Sequence, residues 1–137
     1  MSFEQKNTWT YLVLAVVIPA VYFATILGQV PSTPVGEIDF IIPMITAIGL
    51  AIAVSIVGSI AVSIVSRSSV TDERDTHVAR RGDSVGYVVL GALAIGPLAL
   101  AMLEAEPFWI ANAIYLAEVV AAIVASAVKL VSYRKGV

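Results

Sequence analysis

The last apolar stretch of the chain, PFWIANAIYLAEVVAAIVASAVKLV (residues 107–131), decides how the rest of the sequence is interpreted. As an α-helix, a stretch of this length extends about 37 Å, which is more than the hydrocarbon core of a bilayer requires. Glu118 lies near its middle, where a carboxylate costs about 2.5–3.5 kcal/mol on insertion scales and usually faces a partner or a cavity. The stretch therefore predicts a membrane-spanning helix that carries one chemically unusual residue.

The composition of the whole chain indicates an integral membrane protein. Of its 137 residues, 59% are hydrophobic and 13% are charged, whereas about a quarter of the residues in a typical soluble domain are charged. A chain of this length is expected to form one domain, residues 1–137, with no separate soluble module. It contains no cysteine, which excludes disulfides, thiol catalysis and thiolate metal sites.

Four apolar runs predict an all-α, antiparallel bundle of four transmembrane helices. The runs cover residues 9–28, 40–65, 84–103 and 107–131. Pro19 and Pro97 lie inside the first and third runs, where a proline leaves a backbone carbonyl without its partner and kinks the helix. Asp39 is the expected N-cap of the second helix.

The only long polar stretch, SRSSVTDERDTHVARRGD (residues 66–83), is expected to form an interfacial or protruding helix before the third span. Thr71 or Ser69 is its expected cap, and Gly82 is expected to break or bend it. Together with the C-terminal tail, it is the expected contact surface for anionic lipid heads or a protein partner. The candidate contact residues are Arg74, His77, Arg80, Arg81, Arg134 and Lys135.

The distribution of basic residues predicts how the chain is oriented. All eight fall on one side of the predicted bundle: Lys6, Arg67, Arg74, Arg80, Arg81, Lys129, Arg134 and Lys135. The loops on the opposite side contain only acidic charges: Glu37, Asp39, Glu104 and Glu106. Because lysine and arginine bias sets topology, we expect a multi-pass protein of the cell membrane with both termini and residues 66–83 in the cytoplasm.

Small residues recur at every fourth position of the second and fourth helices, a pattern that allows membrane helices to approach closely. The second helix carries Ala47, Ala51, Ser55, Ser59 and Ser63, and the fourth carries Ala113, Ala117, Ala121 and Ala125. The two stripes predict helix packing, and with it a homo-oligomer.

Glu118 forms the centre of a candidate intramembrane polar site. Asn112 and Tyr115 precede it at three-residue steps, so the three side chains share an arc of about 120° on one helix. Ser55 is expected at a similar depth, and no basic residue is. We therefore expect a neutral acid held by hydroxyl or amide hydrogen bonds. Three roles stay open: a structural helix or subunit contact, a proton- or cation-coupled site, and a lipid- or cofactor-binding site.

No motif indicates catalysis or a bound cofactor. The sequence has no Gly-rich phosphate loop, nucleophile elbow, zinc motif or nucleic-acid-binding patch. Glu73 and His77 are four residues apart and could bind a divalent ion, but two ligands are a weak signal, and a solvated helix face explains them as well. We predict neither a metal site nor an enzyme. The expected role is that of a regulator, sensor or assembly subunit, and the alternative is a proton-coupled small-solute or multidrug transporter that uses Glu118.

Two short motifs resemble known families. Within TDERDTHVARRGDSVGY, the residues Asp72, Glu73, Arg74, Asp75, Val78 and Arg81 resemble the DERD-x-x-(I/V)-x-x-R junction of small four-helix membrane proteins of the DUF2178 type. That resemblance implies an architecture and no activity. The stretch YLAEVVAA looks like the Ala-Glu-Val stretch of the small multidrug transporters, four-helix dimers with one essential membrane glutamate. Their glutamate lies in the first helix and Glu118 lies in the fourth, so this second resemblance is an analogy.

Overall fold

A computed structural model describes residues 2–66 and 72–136, and in this part of the chain the secondary structure is entirely helical. The helices are α1 (Phe3–Leu27), α2 (Ile41–Ser66), α3 (Glu73–Leu93), α4 (Ile95–Met102) and α5 (Pro107–Lys135), with a short 3-10 turn at Val35–Glu37. Because α3 and α4 form one span, Glu73–Met102, four helices are long and apolar enough to cross a membrane. The predicted fold class, an all-α transmembrane bundle, is confirmed.

The first two helices begin at positions that differ from those expected. α1 begins at Phe3, well before the apolar run, because the Ser2 hydroxyl accepts a hydrogen bond from the backbone N–H of Gln5 and caps the helix. α1 then continues through Pro19 without interruption. α2 begins at Ile41, so the prediction that Asp39 caps it was wrong: Asp39 lies two residues before the helix.

α3 begins eleven residues before the predicted third span (84 − 73 = 11). Asp72 and Asp75 form a capping box, in which each side chain accepts a hydrogen bond from the other residue's backbone N–H. The polar residues that follow therefore form the first turns of the third span. The expected caps, Ser69 and Thr71, lie outside the described residues. Gly82 was expected to break or bend the helix, and it does not break it, because α3 continues through this position.

The interruption predicted from Pro97 is present. α3 ends at Leu93, α4 begins at Ile95, and Ala94 lies between them. The N–H of Ala94 donates to the carbonyl of Leu90 at 2.8 Å, and the N–H of Leu98 donates to the carbonyl of Ala94 at 3.2 Å. Proline has no N–H to donate to Leu93, four residues earlier, so the regular bond pattern is lost at this position.

α5 is the central helix of the bundle, in contact with α1, α3 and α4. α2 packs mainly against α1, and Ala47 is its one buried residue. The contact between α3 and α5 is especially close at two glycines. A Cβ atom added at Gly82 would lie 2.9 Å from the carbonyl oxygen of Ala125, and one added at Gly86 would lie 3.0 Å from the Cβ atom of Ala125. Glycine is needed at these positions for packing, not for flexibility.

The two ends of the bundle differ in chemistry. At one end, an aromatic and aliphatic cluster that includes Tyr22, Ile26 and Phe108 closes the core. At the other end, Ser2 lies near Asp75, and the ammonium group of Lys6 donates to the Ser66 hydroxyl at 3.2 Å. We call the latter the basic end, because the described lysines and arginines belong to the helix segments that meet there. Which side of the membrane it faces stays a prediction.

Candidate functional site

Glu118 lies on the outer surface of the bundle, near the middle of the apolar part of the fourth candidate span. It is the twelfth residue of α5 (118 − 107 + 1 = 12), about 16 Å along the axis from the start of the helix and about 25 Å from its end. Its side chain is exposed, and among the described residues its carboxylate has neither a hydrogen-bond partner nor an ion-pair partner. The hydroxyl or amide hydrogen bonds that were expected to hold Glu118 are therefore absent among the described residues.

Two apolar grooves meet at Glu118. The first, which we call the Ser55 groove, lies between α1, α2 and α5, has a volume of about 250 Å³ and includes the predicted neighbour Ser55 in its lining. The second, which we call the Pro97 groove, lies between the α3–α4 span and α5 and has a volume of about 300 Å³. Glu118 is the single charged side chain that lines either groove. A carboxylate in this position can receive a cation or a hydrogen-bond donor from outside the chain.

Of the two residues that the sequence grouped with Glu118, Asn112 faces the core, whereas Tyr115 is buried and also lines the Ser55 groove together with Glu118 and Ser55. Asn112 is 5% exposed; its side-chain oxygen accepts a hydrogen bond from the hydroxyl of Tyr22 at 2.7 Å, and its amide nitrogen donates to the carbonyl of Phe108 at 2.8 Å. The ring of Tyr115 packs edge-on against Tyr22, with 5.1 Å between ring centroids. These contacts join α1 to α5, so the 120° arc runs from the core at Asn112 to the surface at Glu118.

Tyr22 was not identified from the sequence as a functional or structural polar residue. A tyrosine inside an apolar membrane helix needs a partner for its hydroxyl, and Asn112 is a polar residue inside another span. Those two facts favour a hydrogen bond between Tyr22 and a polar residue of another span, but they do not show that its partner is Asn112 and not Ser55 or Glu118. The choice depends on the rotation of both helices about their axes, which the apolar residues around them do not indicate.

The small-residue stripes are used inside the chain. Ala117 and Ala121 are buried, and Ala121 and Ala125 lie against Gly86 of α3. On α2, the hydroxyl of Ser59 donates to the side chain of Asn7 at 2.8 Å. Ala47 is buried, and the remaining stripe residues of α2 are half-buried, with Ala51 and Ser55 in the lining of the Ser55 groove and Ser63 nearer the basic end.

A second polar cluster ties the basic end together. The carboxylate of Asp75 is buried, with 4% of the residue exposed, and accepts hydrogen bonds from the hydroxyl of Tyr133 at 2.8 Å and from that of Ser2 at 3.3 Å. Arg74 donates to the carbonyl of Tyr133 at 2.8 Å, and its guanidinium lies 5.7 Å from the centre of the tyrosine ring. The start of α1, the start of α3 and the end of α5 are therefore held in one arrangement.

The remaining predicted contact residues lie on open surface. His77, Arg80 and Arg81 are exposed on α3, and Arg134 and Lys135 are exposed at the end of α5. Lys129 forms a 2.7 Å ion pair with Asp83. In the described part of the chain, no group of three or more His, Cys, Asp or Glu side chains could hold a metal ion.

Comparison with known proteins adds no assignment. No protein-family model matches the chain, and neither a curated protein nor a solved structure matches it. The resemblance of the Asp72–Arg81 motif to the DUF2178 type therefore stays a prediction. In this chain the motif residues have clear structural tasks: Asp72 and Asp75 cap α3, Arg74 binds the end of α5, and Val78 is buried.

Proposed function

We propose that the protein is a non-enzymatic integral membrane protein that presents the polar start of α3 to a protein partner at the membrane surface. Its role would be that of a regulator, a sensor or an assembly subunit. The observation that carries this proposal is the division of the α3 start into two faces. One face is locked to the rest of the bundle, and the other is charged, exposed and held in place.

The locked face consists of Asp75, Val78 and Gly82, at spacings of three and four residues that share one side of a helix. Val78 is 1% exposed, and Gly82 lies against Lys129 and Ala125 of α5. The hydrogen bonds of Asp75 add to this attachment. A partner would therefore meet a surface whose backbone is already ordered, which lowers the conformational entropy lost on binding.

The presented face consists of Glu73, His77 and Arg80, which also share one side of the helix and are all exposed. Both signs of charge occur within three turns, which suits a protein with complementary charges better than a uniformly anionic lipid surface. In the predicted orientation this face is cytoplasmic, and the exposed Arg134 and Lys135 would contact anionic lipid heads beside it.

Self-association through the small-residue stripes is not part of this proposal. Ala117 and Ala121 are buried inside the chain, and Ser59 is engaged with Asn7. A homo-oligomer would have to use other surfaces. The proposed partner interaction does not depend on one.

Photo-crosslinking in native membranes tests the proposed partner contact. A photoreactive residue at position 77, on the presented face, should give a crosslinked protein band. The same residue at position 45, on the exposed side of α2, should crosslink to lipid alone. Arg80→Glu, which reverses one exposed charge, should abolish the band from position 77. Equal bands from positions 77 and 45, or a band unaffected by Arg80→Glu, would contradict the proposal.

Proton-coupled transport is the second candidate function, and the exposure of Glu118 in the Ser55 groove favours it. A carboxylate that is accessible at mid-membrane depth can exchange a proton for a cation, as coupling sites do. Proton-driven flux in proteoliposomes that disappears in Glu118→Gln would support this function. No flux above that of protein-free vesicles would exclude it.

A further inference from the structure

We propose that the Pro97 groove is the docking site for a membrane-spanning helix of another protein, one that carries an arginine near its centre. The groove lies between the α3–α4 span and α5, and Glu118 is part of its lining. The contact is made within the membrane-spanning part of the bundle. It depends neither on the presented face of α3 nor on transport.

The groove offers a carboxylate and no basic side chain to pair with it. Glu118 has neither a hydrogen-bond partner nor an ion-pair partner among the described residues, and the other residues of the lining have aliphatic side chains. Pro97 has no N–H to donate to the carbonyl of Leu93, which lies one turn earlier on the same side of the span. The complement of this surface is therefore a positively charged hydrogen-bond donor.

The carboxylate and the carbonyl lie at similar depths in the bundle. Glu118 is eleven residues after the start of α5 at Pro107 (118 − 107 = 11), about 16 Å along the axis. Leu93 is nine residues before the end of α4 at Met102 (102 − 93 = 9), about 14 Å from the same end of the bundle. The guanidinium group of an arginine has five N–H donors in a planar fork, so it can pair with the carboxylate and still donate to a nearby carbonyl.

A helix of another protein is the occupant that can hold a cation at this depth. The charges of lipid heads lie at the surface of the hydrocarbon core, about 15 Å from its middle. A second copy of the chain would keep its described lysines and arginines near a membrane surface in either orientation, and Lys129 already pairs with Asp83 at 2.7 Å. An arginine and a glutamate are each costly within lipid, and pairing them reduces both costs.

The groove also has the shape that a helix needs. On the α3–α4 span its lining extends over residues 90–101 (101 − 90 = 11), about 16 Å or three turns along the axis. Pro97 and Ala117 are buried and form its floor, whereas Leu98 and Ile114 are exposed and form its two rims. Its volume of about 300 Å³ accommodates side chains of a helix that packs along these rims.

Binding of a defined membrane-spanning peptide to the full chain in lipid vesicles tests the proposal. The probe is a labelled helix of leucine and alanine with one central arginine, and the matched peptide has a central glutamine. We expect the arginine peptide to bind at least about tenfold more tightly, because an ion pair in this environment is worth more than that factor. Glu118→Gln should remove the preference, whereas Glu106→Gln, which removes an exposed acid in the loop between α4 and α5, should keep it.

A second pair of variants identifies the groove, and both changes are at exposed positions. Ala94→Leu fills the Pro97 groove and should weaken binding of the arginine peptide about tenfold or more. Ala122→Leu places the same side chain in the Ser55 groove and should leave the affinity unchanged.

Three results would overturn the proposal. The first is equal binding of the arginine and glutamine peptides, and the second is an Ala94→Leu variant that binds the arginine peptide like the parent. The third is dimerisation of the chain in peptide-free vesicles that is lost in Glu118→Gln, because it would assign the groove to a second copy.

Discussion

Adding one methyl group at Gly82 should separate the two most closely packed helices of the bundle. A Cβ atom at this position would contact Cγ of Lys129 and would lie 2.7 Å from its Cε and 2.9 Å from the carbonyl oxygen of Ala125. The lysine side chain can move aside, although its ion pair with Asp83 would be disturbed. The carbonyl belongs to the α5 backbone and cannot move without shifting the helix.

The expected magnitude follows from two opposing contributions. Forcing an extra methyl group into a closely packed contact costs about 1–3 kcal/mol, whereas replacing glycine by alanine inside a helix gains up to about 1 kcal/mol. Gly82→Ala should therefore lower the free energy of unfolding by about 0–3 kcal/mol. Gly91→Ala is the matched control, because it lies in the same helix and its added Cβ would have no atom within 4 Å.

The two variants are best compared by reversible unfolding in one detergent or nanodisc preparation. The helix-propensity gain is common to both, so the difference between their unfolding free energies measures the α3–α5 contact and should be about 1–3 kcal/mol. The ion pair can be followed separately in Asp83→Asn, which keeps Gly82 intact. If Gly82→Ala proves as stable as Gly91→Ala, the inferred close approach of α3 and α5 is refuted.

Two further predictions concern the basic end. Asp75→Ala should lower the unfolding free energy by about 2–4 kcal/mol, because it removes the capping box and both hydroxyl contacts. Tyr133→Phe removes one hydrogen bond and should lower it by about 1–2 kcal/mol. Equal losses for the two variants in chemical denaturation would contradict this order. Cysteines introduced at positions 80 and 135, where Arg80 and Lys135 are exposed, should react with a membrane-impermeant maleimide added from the cytoplasmic side. A cysteine in place of Ser32 should react when the reagent is added from the outside. Reversed or mixed labelling would overturn the predicted orientation.

The number of spans could be predicted from the sequence because each apolar run is long enough to cross a bilayer. The start of α3 could not be located by the same criterion, since residues 73–83 are polar. Local hydrogen bonding decides it instead: the side chains of Asp72 and Asp75 satisfy backbone donors at the start of the helix. The cap was expected at Ser69 or Thr71, whereas Asp72 is the residue that caps α3.

The candidate site was only partly predictable. The depth of Glu118 and its proximity to Ser55 follow from counting residues along two helices that run in the same direction. The direction in which its side chain points is harder to predict, because α5 is apolar on all sides and has no amphipathic stripe; the small residues Ala117 and Ala121 are the sequence signal that marks the inward face. Tertiary contacts such as the bond from Tyr22 to Asn112 fix that rotation, and they place Glu118 on the outer surface.

The exposure of Glu118 at mid-membrane depth is the central claim, and spin-label accessibility tests it most directly. A nitroxide attached to a cysteine at position 118 should be readily relaxed by oxygen, which is soluble in lipid, and poorly relaxed by a water-soluble nickel chelate. A nitroxide at position 117, where Ala117 is 4% exposed, should be protected from both. Protection at position 118 equal to that at 117 would show a buried acid, and strong relaxation by the nickel chelate would show a water-filled cavity; either result would contradict the account.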